Sequence, residues 1–223
     1  MAILYIVATP IGNLKDATFR AIETLKEVDF ILAEDTRETF KLLNFYSIKK
    51  PLVSYFQHSK ISKVEYILNL LKQGKNLALV SDAGTPGIND PGGKLISEVI
   101  KRFGDSVQIV PVPGPNAAIT ALSISGFNVD KFLFLGYPPH KKGRKKFFVE
   151  IAESKYPVVF YESVHRILKT LKELSNFENL KNRDIIVCRE LTKKFETIYR
   201  GKISEILPQI EKENLGEFVV IIS

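Results

Sequence analysis

Short apolar runs alternate with helix-spaced segments along most of the chain. Residues 4–7, 30–33, 77–80 and 107–110 are apolar stretches of strand length, and Val53 with its neighbours forms a shorter one. Between them, Phe19, Ile22 and Leu25 share one helical face, residues 36–45 make a second helical segment, and Val64, Ile67, Leu68 and Leu71 a third. Leu95, Ile96, Val99 and Ile100 fall at the spacing of a fourth. Asp16 and Thr18 are candidate caps for the first helix. Apolar runs without polar alternation belong to strands covered on both faces. This βαβα rhythm therefore predicts a mostly parallel, doubly wound sheet.

The segment PVPGPNAA (111–118) interrupts that rhythm and marks a domain boundary, drawn as 1–112 and 113–223. A small-residue helix over 117–125 follows. Strands are then expected at 132–135, 157–161, 184–189, 196–200 and 218–222, with helices only around 147–152 and over 164–174. More strands than helices predicts a mixed sheet. The expected fold class is α/β with two α/β domains, the first doubly wound and the second mixed.

Composition bounds this picture. With 223 residues, 45% hydrophobic and 26% charged, the chain can bury two modest cores and is unlike a disordered one. The formal net charge is +7, and residues 113–223 hold 18 Lys+Arg against 13 Asp+Glu. A basic surplus is compatible with a polyanionic partner but does not demonstrate one. Cys188 is the only cysteine, so neither an intrachain disulfide nor a thiolate zinc site is available, and its apolar run predicts an inert core thiol. The N-terminus has no basic region ahead of its apolar run, and no segment reaches the ~18–20 apolar residues of a membrane span. The expected protein is soluble and cytoplasmic, with no membrane partner. His58 and His140 lack ligand spacing, so no metal site is expected.

The candidate chemistry lies where predicted strands end. After residues 77–80 the chain enters SDAGTPGINDPGG, punctuated by Gly84, Pro86, Gly87, Pro91, Gly92 and Gly93 and carrying Asp82, Thr85, Asn89 and Asp90. Thr9 to Leu14 (TPIGNL) and Pro113 to Ala117 (PGPNA) follow two other strands. In a parallel sheet all three loops emerge at one edge, where open α/β folds bind small molecules. Gly92-Gly93-Lys94 resembles the end of a P-loop, but Ile88 replaces its first glycine and Leu95 its hydroxyl residue, which argues against nucleotide hydrolysis. AEDTR (33–37) places Glu34, Asp35 and Arg37 at the same edge. Asp35 either caps the next helix and pairs with Arg37, or the group forms a polar wall that orients substrate.

FYESVHRI (160–167) repeats the logic in the second half. Ser163 is a candidate cap there, leaving Glu162, His165 and Arg166 on a first helical turn, and a His beside a Glu suits acid–base work. Lys141, Lys142, Arg144, Lys145 and Lys146 follow Tyr137-Pro138-Pro139-His140. Such a run is either a solvated face or a flap that contacts phosphates while the aromatic ring stacks on a base.

Taken together, VATPIGNLKDAT (7–18), AEDTR (33–37), SDAGTPGINDPG (81–92), PVPGPNAAITAL (111–122), FLGYPP (134–139), FYESVHRI (160–167), ELTKKFETIYRG (190–201) and the final GEFVVII resemble the tetrapyrrole-methylase superfamily of class III S-adenosylmethionine-dependent methyltransferases. The match runs through nearly the whole chain in order. Within the superfamily, it is similar to the enzymes that methylate a cytidine 2′-hydroxyl in the decoding region of small-subunit (16S) ribosomal RNA. The TPIGNL loop departs from the Gly-Pro-Gly-Asp form of the porphyrin-precursor enzymes, which favours RNA as substrate. The resemblance ends at the GEFVVII strand, without the small helical extension many members carry.

That resemblance implies S-adenosylmethionine as cofactor, held in the cleft between two domains, a homodimer, and the small ribosomal subunit as partner. Loop for loop, the donor is expected at Ile11, Ala83, Gly84, Thr85, Ile88, Asn116 and Ala117, with Glu162 and Leu191 approaching from the second domain. Asp35 and Glu162 are the candidate bases and His165 a reserve. Arg37, Arg166 and Lys193 are expected to place phosphate. The alternatives are a superfamily methyltransferase acting on a tetrapyrrole or a protein, and a non-catalytic ribosome-assembly factor.

Overall fold

The computed structural model describes residues 1–56, 60–90 and 92–223, so His58 and Pro91 lie outside it. The chain divides into two compact units, Met1–Asn116 and Ala117–Ser223.

In the first unit, β1 (Ala2–Val7), β2 (Phe30–Ala33), β3 (Leu52–Ser54), β4 (Leu77–Val80) and β5 (Val107–Val112) form one sheet in the order β3-β2-β4-β1-β5. Every neighbouring pair is parallel. Side chains alternate across the sheet, and here both sides are apolar. Leu77 and Leu79 meet Ile67 and Leu71 of α3 (Ile61–Lys72) and Leu95 and Val99 of α4 (Gly92–Phe103). Ala78 and Val80 pack with Ala21 and Leu25 of α1 (Phe19–Glu27) and Leu42 and Leu43 of α2 (Thr36–Phe45). All four β4 residues are therefore buried, the reason its run shows no polar alternation. The chain steps one way from β1 through β2 to β3, then returns to β4 and continues to β5. Neighbouring β2 and β4 thus lead in opposite directions and leave a crevice between their carboxyl ends.

Thr18 caps α1, its hydroxyl accepting from the Ala21 amide at 3.1 Å. Asp16, the other candidate, instead closes the short 3₁₀ turn Leu14–Asp16. The first unit runs a few residues past the boundary drawn at 112. Gly114 packs so closely on Ala8 that an added Cβ would lie 3.0 Å from the Ala8 Cβ, and the Thr85 hydroxyl donates to the Pro115 carbonyl at 3.1 Å. These contacts keep residues 113–116 with the first sheet.

The second unit holds α5 (Ala117–Ser123), β6 (Leu133–Phe134), α6 (Arg144–Glu153), β7 (Val158–Ser163), α7 (Ile167–Leu174), β8 (Ile185–Arg189), β9 (Thr197–Gly201), α8 (Ile203–Lys212) and β10 (Glu217–Ile222). Its sheet order is β6-β7-β10-β8-β9; β6 and β7 are parallel, and the other pairs are antiparallel. This is the mixed sheet the late strands predict. The helix expected from residue 164 begins only at Ile167, so Glu162 and Ser163 end a strand and Ser163 does not cap it. The sequence reading did not include α8. Its Ile203, Ile206 and Ile210 are buried at helical spacing, but Pro208 stands in its interior, where proline removes a backbone bond and argues against a helix.

Cys188 on β8 is fully buried, and that burial pushes its thiol up to about 12. The folded chain is therefore expected to resist a thiol-alkylating reagent near about pH 8, labelling only once unfolded, as read by mass spectrometry. Fast labelling of the folded protein would contradict this.

Candidate functional site

At the carboxyl edge of the first sheet, three loops are tied together by backbone. The Thr9 amide donates to the Gly84 carbonyl at 2.9 Å, and the Gly84 amide returns a bond to Thr9 at 3.1 Å. The Thr9 hydroxyl donates to the Ser81 carbonyl at 3.1 Å, and Thr85 reaches Pro115 as described. The loops after β1, β4 and β5 thus form one surface. Gly84 takes φ +81°, a left-handed conformation that favours glycine, and an added Cβ would sit 3.4 Å from Ile11 Cγ2 and 3.6 Å from the Pro115 oxygen. Asp90 folds the β4 loop back, its Oδ1 accepting from the Gly87 amide at 2.7 Å and the Gly92 amide at 2.8 Å. Ile11 is buried, Thr85 and Asn116 are half-buried, and Ala83 and Ile88 are exposed. Six of the donor positions implied by resemblance therefore share this unit; Ala117, Glu162 and Leu191 belong to the second.

The β2–β4 crevice carries the carboxylates. Asp35 caps α2, its Oδ1 accepting from the Arg37 amide at 2.8 Å, while Arg37 Nη2 donates to Oδ2 at 2.6 Å. That guanidinium holds the Asp35 carboxyl down at about 2. Asp35 is thus doubly engaged, by the Arg37 amide and by its guanidinium. The Asp35 amide in turn donates to Asp82 Oδ1 at 2.8 Å. Burial, then the charges of Asp82 and Asp90, hold the Glu34 carboxyl above the usual range. Burial likewise raises Asp82. The Glu34–Asp82 relation was not visible in sequence, because it depends on β2 and β4 being neighbours. What was visible is that both residues stand within two positions of a strand end.

In the second unit, Glu162 is 1% exposed. One carboxylate oxygen accepts from the Thr170 hydroxyl at 2.6 Å; the other takes the Ser163 amide and Arg166 Nη2, each at 2.8 Å. Both oxygens are engaged inside the unit. Arg166 donates through Nη1 to the Pro138 carbonyl at 2.8 Å, so it too is committed inside the unit. His165 is exposed in the turn before α7.

The basic run splits in two. Lys141, Lys142, Lys145 and Lys146 are exposed, whereas Arg144 is 7% exposed. Arg144 donates to Glu173 at 2.6 Å, Thr170 at 2.7 Å and the Pro139 carbonyl at 3.2 Å, so its guanidinium is engaged inside the unit.

Leu191 is buried in the β8–β9 loop between two left-handed residues, Glu190 (φ 53°) and Thr192 (φ 66°). Glu190 Oε1 accepts from the Glu217 amide at 2.9 Å and from Lys193 at 3.0 Å; Lys193 also donates to Glu217 at 2.7 Å. Lys193 therefore braces this loop with two acidic partners. Among the described residues no group of three or more His, Cys, Asp or Glu could hold a metal, and no helix is long and apolar enough to cross a membrane.

Comparison with known proteins sets this geometry in a family. The family described as "Tetrapyrrole (Corrin/Porphyrin) Methylases" matches residues 3–207. A Thermotoga maritima protein named ribosomal RNA small subunit methyltransferase I is 44% identical, the match spanning 100% of this chain and 99% of that one. The Bacillus subtilis protein of the same name is 48% identical over 100% of this chain and 75% of its own length. A crystal structure of diphthine synthase, at 11% identity, shares the fold with a TM-score of 0.73 over 100% of this chain and 90% of that one. The chain belongs to the tetrapyrrole methylase family and, within it, to the ribosomal RNA small subunit methyltransferase I group.

Proposed function

We propose that this chain transfers a methyl group from S-adenosylmethionine to small-subunit ribosomal RNA, at the 2′-hydroxyl of a cytidine in the decoding region. The observation that carries the reading is the three-loop surface at the first sheet edge. Buried, left-handed Gly84 lets the loops close on one another, the exposed Ala83 and Ile88 and the half-buried Thr85 and Asn116 beside it leave groups accessible to a small ligand, and the relatives' names supply the acceptor class.

The donor, when bound, supplies an electrophilic methyl carbon. Ile11, Ala83, Gly84, Thr85, Ile88 and Asn116 of the first unit would hold it, largely through backbone, and that fixed orientation would supply much of the acceleration. Glu34 takes the proton from the attacking hydroxyl, its burial and acidic neighbours keeping it a stronger base than an ordinary carboxylate. The Asp35–Arg37 pair positions the crevice wall from the start of α2. The exposed lysines of residues 141–146 contact phosphates without reading sequence.

The reading takes the chain as a cytoplasmic homodimer; light scattering of the purified chain tests the dimer. The chemistry is tested by calorimetry with S-adenosylhomocysteine and by mapping 2′-O-methylation in small-subunit RNA from cells lacking the gene. No donor binding, or an unchanged methylation map, overturns the reading. Replacing Lys141, Lys142, Lys145 and Lys146 together by alanine is expected to flatten the dependence of log affinity on log salt by about 3, given ~0.7 per phosphate contact on a single strand. An unaltered slope would remove the lysines from the interface.

A further inference from the structure

Two features of the second unit have so far stood apart: a buried charge network and an exposed basic segment. The network is unusually complete. Thr170 is fully buried and sits at its centre, donating to Glu162 at 2.6 Å while accepting from Arg144 at 2.7 Å. Arg166 and Arg144, on either side, each send one guanidinium N–H to a carbonyl of the same short loop, at Pro138 and Pro139. Arg144 is also the first residue of α6, stacks with its Cζ 4.8 Å from the Phe148 ring centre, and pairs with Glu173 on α7. A loop without regular structure is thereby bolted at consecutive carbonyls to β7, α6 and α7.

That loop carries the groups exposed for binding. Tyr137, 45% exposed, precedes the anchored prolines and lies 5.5 Å from Tyr161, ring centre to ring centre. Lys141, Lys142, Lys145 and Lys146 follow them, exposed and without an acidic partner among the described residues. Burying paired charges contributes little net stability compared with an apolar packing of the same volume. A fully satisfied buried polar network also rigidifies the segments it ties together.

We propose that Glu162, Thr170, Arg144 and Arg166 are positioning residues that pre-form the Tyr137-to-Lys146 segment as a rigid RNA-phosphate platform. This rests on the reading of the acceptor as RNA. Holding the backbone that carries the lysines before RNA arrives removes an ordering cost that a flexible basic flap would meet on binding. The network acts on RNA affinity and not on the methyl-transfer step.

The test uses the full chain with Thr170→Val, which keeps the shape but removes the hydroxyl, and Thr170→Ser, which restores it. Thr170→Val is expected to weaken RNA binding about tenfold and to speed tryptic cleavage within residues 141–146 by a similar factor, since ordering costs of this size accompany immobilised side chains. S-adenosylhomocysteine affinity and the single-turnover rate at saturating RNA stay within about twofold, and Thr170→Ser returns both altered quantities to wild type. Unchanged RNA affinity and cleavage, even with a lowered melting temperature, overturn the proposal and leave a merely structural network. Should Thr170→Val not fold, Arg166→Lys provides the same readouts through the Pro138 anchor alone. Failure of the wild-type chain to bind RNA at all sinks the RNA reading instead, and is seen before any variant is made.

Discussion

Gly92→Ala is expected to weaken donor binding more than tenfold and to lower the melting temperature, while its neighbour Gly93→Ala does neither. The two glycines are adjacent at the start of α4, but their surroundings differ. A Cβ on Gly92 would lie 2.9 Å from the Gly87 backbone nitrogen, 3.0 Å from Asp90 Oδ1 and 3.1 Å from Leu79 Cδ2. Two of those three atoms belong to the Asp90 clamp that folds the β4 loop, and the third to the strand beneath it. The Asp90 and Leu79 atoms are side-chain ends that can turn aside, but the nearest contact is backbone, so Gly87 must move and the loop with it. Overpacking of this kind costs about 1–3 kcal/mol in stability. Donor affinity is expected to fall by more than tenfold because the loop itself is the binding surface. A Cβ on Gly93 meets nothing within 4 Å, and alanine there gains the ~0.5–1 kcal/mol that glycine forfeits inside a helix. Calorimetry with S-adenosylhomocysteine and thermal melting of both variants decide it; equal behaviour of the pair would reject the clamp.

The contrast between Gly92 and Gly93 also marks what sequence makes legible. The βαβα rhythm, the parallel first sheet, the mixed second sheet and the convergence of three loops all follow from local period and turn chemistry. Such signals survive because each is carried by neighbouring residues. What the chain conceals depends on strands and helices meeting across long separations. Asp35 and Asp82 become partners only because β4 inserts between β2 and β1. Arg144 reads as one more cation in a basic run, and only α7, bringing Thr170 and Glu173 to it, turns it inward. Glu162 reads as an active-site carboxylate beside a histidine. The strand continues two residues further than the pattern suggests and the helix starts three later, so the Glu162 side chain is buried in the unit and its oxygens are engaged there. Residue type was informative about charge; it was silent about direction.

Direction is also what separates the neighbours Glu34 and Asp35, and Glu34→Gln is expected to raise stability at neutral pH while slowing methyl transfer. Glu34 is held above its ordinary 4.5, so the folded state prefers it protonated. That preference favours the fold at low pH and is lost as pH rises through the raised value, leaving an unfavourable ionised group at pH 7. Glutamine removes the penalty. Asp35 works in the opposite sense: its carboxyl is depressed from 3.8 to about 2, so its contribution is complete above the unfolded value and disappears as pH falls through about 2. Asp35→Asn is accordingly expected to lower the melting temperature at pH 7, with a smaller loss of rate. If Glu34 is the proton acceptor, the single-turnover rate of Glu34→Gln drops about 10²–10⁴-fold, and the wild-type rate falls on acidification through the raised carboxyl value. The stability and rate measurements can disagree, and that makes the experiment decisive. A higher melting temperature with an unchanged rate removes Glu34 from the proton transfer and leaves it a wall residue.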